Sequence, residues 1–350
     1  MKKILLFVTL ILFSYSQAQN ILIVDNNVNV DTSPSHIYNN FAAAIAAAAN
    51  GDIIYIQPSI TSYGNITVSK EITVYGIGHT PELNSGRSTN IGNILIAASN
   101  VKISGLNIVT TITINNTIHS NITIENNKFE AINMASAITN NVIIQGNVIG
   151  SAIYLSSNNA NSTNITITNN FIDSPTANPF QYFNSTTIFN NNVINWVAVT
   201  TQALFYIPTD LVAQNNIFVS QNTFNGTVWQ TAGTPTIFNN CLTYSYSGVT
   251  LGALNGTGNY NNTNPLFVSI PGTNPNWDVA NDYHLGAGST GVNVGTDSND
   301  VGIFNGYYDF DMRGYPTLLP YLTEMTISNN MIPAGANLNV NLKADANKSN

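Results

Sequence analysis

The chain is short of charge before anything else. Asp, Glu, Lys and Arg make up only 7% of its 350 residues, where about a quarter is usual for a soluble protein. With nine basic residues and a net charge of -8, most of the surface repels an extended polyanion, which argues against nucleic acid as a partner. A hydrophobic content of 43% together with so little charge also excludes a disordered profile. There is one cysteine, Cys241, so no internal disulfide can form; it reads as a small apolar residue within the repeat. No apolar run is long enough to span a bilayer, which takes about 20 residues. The longest, Ile4 to Phe13, follows Lys2 and Lys3 and precedes Ser16-Gln17-Ala18, the layout of an export signal. Residues 1–18 are therefore expected to be removed, leaving a secreted chain that is extracellular, attached to the cell surface or periplasmic.

What fills the gap is Asn, Thr, Ile and Ser in a repeating order. The pattern is apolar, any, Asn or Gly, Asn, any, apolar. It occurs at Ile124–Phe129, Ile144–Ile149, Ile167–Ile172, Phe189–Ile194, Ala213–Phe218 and Ile237–Leu242. Its marker asparagines, Asn127, Asn147, Asn170, Asn192, Asn216 and Asn240, are separated by 20, 23, 22, 24 and 24 residues. Before each copy runs a short alternation such as Asn121-Ile122-Thr123-Ile124, the period of a strand. The next position, Asn or Gly, tolerates a left-handed backbone at a tight bend. The marker Asn offers both a donor and an acceptor, so equal residues stacked at about 4.8 Å can bond into a ladder. Strand, bend, strand and looser return define one coil of a parallel β-helix.

Both ends read as caps. Phe41–Ala49 is the clear helix former, stopped by Asn50-Gly51, and a helix there covers the open first coil. Tyr321–Ser328 and Ala336–Leu342 alternate as two strands joined through Met331–Gly335, predicting a hairpin packed on the last coil. The expected division is 1–18 signal, 19–314 solenoid, and 315–350 hairpin cap or tail.

Gly51-Asp52-Ile53-Ile54-Tyr55-Ile56-Gln57-Pro58, Tyr63–Val68 and Glu71–Gly76 resemble the N-terminal region of pectin-lyase-like right-handed parallel β-helix proteins. Asp282-Tyr283-His284-Leu285, Gly288-Ser289, Asn293–Gly295 and Asp300–Gly302 resemble the closing coils of secreted bacterial members. The resemblance covers residues 36 to 305 and implies an all-β, single-stranded right-handed parallel β-helix. Its motifs mark a fold and no reaction.

Lyases of that kind use clustered acids to hold calcium and a Lys or Arg as base. Between Asp173 and Asp278 this chain has one charged residue, Asp210, and no Lys, Arg or His, so half the solenoid lacks that equipment. The enzyme alternative, a polysaccharide lyase or glycoside hydrolase, rests on Lys102, Glu125 and Glu130 with Arg87 and Lys128, and requires that they converge in one cleft. Glu125 alone reads as a solvated surface residue, and Asp309-Phe310-Asp311-Met312-Arg313 as a turn with an ion pair. Asp297-Ser298-Asn299-Asp300 looks like a calcium loop but lacks a further acidic ligand, and the four histidines share no metal-ligand spacing. No cofactor is expected, with calcium at that Asp297–Asp300 turn as the alternative. Neutral sugars are gripped by aromatic faces and amide or hydroxyl groups, and Tyr154, Tyr182, Trp196, Tyr206 and Trp229 supply the aromatics. The outward column Thr123, Ile143, Thr166, Ile188, Val212 and Thr236 is too mixed for an ice-binding face. The sequence thus points to a monomeric, non-catalytic glycan-binding or adhesion module.

Overall fold

The computed structural model describes residues 19–197, 203–221, 229–306, 308–316, 319–328, 335 and 337–346. The expected signal, 1–18, and most of the expected hairpin turn, 331–334, lie outside the described residues. The chain forms a parallel β-solenoid. Twelve strands, from Ile37–Tyr38 to Gly256–Thr257, stack into a first sheet, and a second of 14 contains nine in unbroken succession from Ile66–Val68 to Leu242–Ser245. Alternation along the strands drives this arrangement. In the first sheet Ile54, Val74, Ile103, Ile124, Ile144, Ile167, Phe189, Ala213 and Phe238 pair in register, and all are buried. Ala213 sits between two phenylalanines, so a small residue makes room where rings follow one another.

The bend between the sheets is set by asparagine. Gly105, Asn126, Gly146, Asn169, Asn191, Asn215 and Asn240 all adopt a left-handed backbone, with φ between 52° and 78°. Behind them runs the ladder. Asn170 is typical: its Oδ1 accepts from the backbone N–H and the Nδ2 of Asn147 at 3.0 Å each. Its own Nδ2 donates to Ile144 O and Thr168 O, both at 2.9 Å, and to Asn192 Oδ1 at 3.1 Å. The same pattern joins Asn127, Asn147, Asn170, Asn192 and Asn216.

Asn240 is not the sixth rung. Gln214 pairs with Asn239 and Ile217 with Leu242, which sets Asn240 beside Asn215 and puts Cys241 in the ladder position. Its thiol stands 4.0 Å from Asn216 Nδ2, and its N–H reaches Asn259 Oδ1 at 3.0 Å, where the ladder resumes. The one-residue slip arises because Asn239 and Asn240 both fit the pattern. It also moves the last member of the outward column from Thr236, which is buried, to Ile237, which pairs with Val212.

At the N-terminal end the helix Phe41–Ala47 covers the first coils with Phe41, Ala44 and Ile45 buried, and Asn40 Oδ1 caps it by accepting from Ala43 N at 2.8 Å. Lys70 Nζ donates to the carbonyls of Ala46 and Ala48 at its other end, satisfying acceptors a helix terminus leaves free. Buried Asp52 fastens the entering chain, accepting from Asn20 N at 2.9 Å and Ala49 N at 2.7 Å.

The residues after Asp282 do not close the solenoid as further coils. They run back along the outside of the asparagine bend as a strap. Asn240 Nδ2 donates to Val294 O, Asn215 Nδ2 to Thr296 Oγ1, Asn169 Nδ2 to Ile303 O and Asn126 Nδ2 to Tyr315 O, in order towards the N-terminal coils. Val301, Ile303, Phe310 and Tyr283 cover the outward column Val148, Phe171, Val193, Ile217 and Leu242, making a second hydrophobic core. The antiparallel hairpin Pro320–Ile327 with Val340–Ala346 follows. Its described side chains are exposed, so it does not pack as the expected cap; the strap delivers it to the other end of the coil stack, near Gly105 and Asn126.

Two outcomes test this account. Ile167→Ala, on the inward column, should cost about 2–5 kcal/mol in denaturant unfolding, whereas exposed Ile188→Ala should cost under about 1 kcal/mol. Cys241→Asn should raise the melting temperature, because the amide restores an acceptor for Asn216, a gain of about 0.5–1.5 kcal/mol; an unchanged or lower melting point would count against Cys241 as a ladder position.

Candidate functional site

The outward face of the second sheet carries a gathering of charge beside an aromatic. Strand Lys128–Asn133 presents Lys128 and Glu130, both exposed. Glu130 leans across the next coil because Gly150 has no side chain: a β-carbon there would lie 2.8 Å from the carboxylate. One coil further stands Asp173, paired with Asn195. Asn195 Nδ2 donates to Asp173 Oδ1 at 2.8 Å, and the backbone N–H of Trp277 to Asp173 Oδ2 at 3.1 Å. Burial raises the Asp173 pKa, with the nearby negative charge of Glu130 adding to it, while these hydrogen bonds and Lys128 oppose the rise.

Trp277 belongs to a loop pinned over this face. Asn276 accepts from Asn195 Nδ2 at 2.8 Å and from Gln221 Nε2, and its carbonyl takes Asn281 Nδ2 at 2.8 Å and the Tyr283 hydroxyl. The indole stacks on Tyr283 at 6.0 Å and meets Phe171 at 5.3 Å. It divides a cleft in two. One cavity, about 360 Å³, is lined by His79, Glu82, Lys128 and Asp278; the other, about 330 Å³, by Lys128, Glu130, Gly150 and Asp173.

His79 is buried beneath the strap, which sequence spacing did not reveal. Its backbone N–H donates to Arg313 O at 3.0 Å, and its ring lies where a β-carbon on Gly314 would sit. The Thr80 hydroxyl donates to Met312 O at 2.8 Å and so accepts from His79 Nδ1 at 2.8 Å. This fixes the proton on Nδ1 and leaves Nε2 as an acceptor, buried and without a hydrogen-bond partner.

The residues expected to carry catalysis do not converge. Lys102 and Glu125 lie on the first sheet, joined by an ion pair of 2.5 Å. Glu125 is buried and also accepts from Gln145 Nε2 at 3.1 Å, so it is not the solvated surface residue expected. Lys128 and Glu130 are across the bend on the second sheet, and Arg87 sits on an exposed turn. Asp311 and Arg313 do form an ion pair, at 2.7 Å, in the strap. Among the described residues no three of His, Cys, Asp and Glu are grouped to hold a metal ion, and no helix is long and apolar enough to cross a membrane.

The five aromatics divide likewise. Trp196 and Trp229 are buried in the main core, where no sugar can stack; each has its indole N–H spent on a carbonyl, of Thr176 and Gly252. Tyr154, Tyr182 and Tyr206 are part-exposed and are brought together. Tyr154 pairs with Gln181, Gln181 with Tyr206 and Tyr206 with Thr231, one outward column past the bulge in strand Lys128–Asn133. Tyr182 meets Tyr206 edge to face at 5.5 Å. Asp173 and Trp277 escaped the sequence reading because neither sits in a cluster along the chain.

No protein-family model matches the chain, and a search of curated proteins returned no match.

Burial holds the His79 pKa down at about 3, aided by the positive charge of Lys128 and opposed by Asp311. The folded form therefore prefers neutral His79, so its stabilising contribution is complete above about pH 6.5 and is lost as the pH falls towards 3, on the order of a few kcal/mol. Asp173 titrates with the opposite sign, because its raised pKa favours the folded form on protonation. Unfolding of the native chain and of His79→Leu should therefore converge in stability below about pH 5; a constant gap between them from pH 7 to 4 would contradict the buried neutral imidazole.

Proposed function

We propose that the protein is an exported, non-catalytic recognition module that binds an extended glycan along the outer face of its second sheet. The observation that carries this reading is the column Tyr154, Gln181, Tyr206 and Thr231 with Tyr182 against Tyr206. Part-exposed rings on a rigid strand stack, alternating with an amide and a hydroxyl, offer stacking faces and hydrogen bonds at one-coil intervals of about 4.8 Å. Trp277 extends the aromatic surface on the other side of the bulge, beside a cleft that admits a sugar-sized ligand. A repeating ligand matched to a repeating surface gains from each added contact without reorganising the protein.

The lyase or hydrolase alternative has less support. Its charged groups are split between two sheets, and Glu125 is already neutralised by Lys102. Asp173 with Glu130 is the nearest approach to an acid and base pair, but both Asp173 oxygens already accept hydrogen bonds that hold the Trp277 loop.

The test is a panel of neutral and acidic polysaccharides, scoring binding and sugar release in the same wells with and without calcium. Binding without products is expected, weakened about tenfold by Tyr206→Ala combined with Tyr182→Ala. Sugar release that stops on Asp173→Asn would make the protein an enzyme, and binding indifferent to the tyrosines would remove this face from the account.

A further inference from the structure

The column of Tyr154, Gln181, Tyr206 and Thr231 is longer than its tyrosines. In register it continues from Tyr154 to Asn133, Thr113, Leu95 and Thr67, so it crosses eight coils, about 34 Å along the solenoid axis. Every member is exposed or part-exposed. The only charges on the eight strands that carry it, Lys128 and Glu130, stand before and at the bulge. A ligand lying along the column therefore meets rings, hydroxyls and amides, and no charge. The bend that follows is built at a cost. Tyr182, Ile207 and Ala232, each one residue past the column, are left-handed at φ 60°, 48° and 54°, where the opposite bend uses Asn or Gly. Such a backbone is an outlier for a bulky residue, and strain of this kind gathers at binding sites. Here it turns the Tyr182 ring edge to face against Tyr206.

We infer that this column binds a neutral, β-1,4-linked hexose chain laid along the solenoid axis, across the strands. The inference rests on the glycan-binding reading and names the class of sugar. Tyr154 and Tyr206 are separated by the single coil of Gln181, which sets the two rings about 10 Å apart along the axis. An extended β-1,4-linked chain repeats at nearly this distance, because each sugar is turned over relative to the one before and the same face returns on every second unit. Both rings can therefore stack on equivalent sugar faces, while Gln181 between them offers an amide to the intervening sugar. An α-1,4-linked chain of the same sugars winds out of line and cannot keep successive faces on one column. A uronic acid chain would bring carboxylates to a surface with no cation to receive them.

The experiment titrates the full chain with four hexamers: β-1,4-linked glucose, β-1,4-linked N-acetylglucosamine, α-1,4-linked glucose and α-1,4-linked galacturonic acid. At least one β-1,4 hexamer should bind at least about tenfold more tightly than the α-linked glucose hexamer and than its own dimer, which cannot reach both rings, and raised salt should leave this binding unchanged. Tyr154→Ala and Tyr206→Ala should each weaken it about tenfold, while Tyr206→Phe, which keeps the ring, should retain it. The linkage comparison uses the unaltered chain and so holds whatever the variants do to folding. Binding of the α-linked glucose hexamer as tight as that of either β-linked one, still weakened by Tyr206→Ala, would overturn the linkage and leave the glycan reading standing. Tightest binding of the galacturonic acid hexamer would overturn the neutral class. Failure of every hexamer and of every polysaccharide would overturn both.

Discussion

Everything in this molecule depends on coils meeting in one register, and the buried asparagine column is the interaction that enforces it. Each rung accepts from the N–H of the rung before it and donates to one carbonyl of its own bend and one of the preceding coil. A slip of one residue would strand several buried polar groups at once, each worth about 1–3 kcal/mol. It would also turn every inward isoleucine to solvent. With register fixed, positions on successive coils become columns, and the columns acquire separate uses. One fills the core, one faces solvent, one is covered by the strap, and one presents tyrosines.

The columns were legible in the sequence because each is written locally, within a few residues of a marker that recurs at near-constant spacing. Left-handed Asn and Gly, the inward alternation and the helix at the N-terminal end all followed from that. The sixth rung was misread for the same local reason: two consecutive asparagines, Asn239 and Asn240, fit the bend, and only strand pairing decides between them. The strap left no such trace. Its contacts join Asn126 to Tyr315 and Thr80 to Met312, pairs too distant in sequence for any periodicity to record. Trp277 and Asp173, 104 residues apart in sequence, are joined in the same long-range way. Trp196, at the end of a strand, and Trp229, before one, misled because an aromatic residue at a strand's end looks alike in sequence whether it turns in or out.

Scarcity of charge gives the few charged groups distinct roles. Lys102 with Glu125 and Arg313 with Asp311 are ion pairs; Asp52 fastens the entering chain and Asp173 holds a loop. The abundant Asn, Thr and Ser supply amides and hydroxyls in place of charge, which bind water and sugar by the same hydrogen bonds and leave selectivity to ring faces.

The strap changes how the solenoid can come apart. In an open stack the terminal coil is held by a single neighbour and frays alone, so unwinding proceeds coil by coil from either end. Here one continuous segment is bonded in turn to coils from Asn240 back to Asn126, with its far end on His79 and Thr80. Loosening the last coil therefore pulls on contacts laid down near the first. Under tension the molecule behaves less like a spring with free ends than like one with a tie rod alongside it. The tie rod's anchors join residues more than 180 positions apart at its far end, so coil ends and strap cannot part independently.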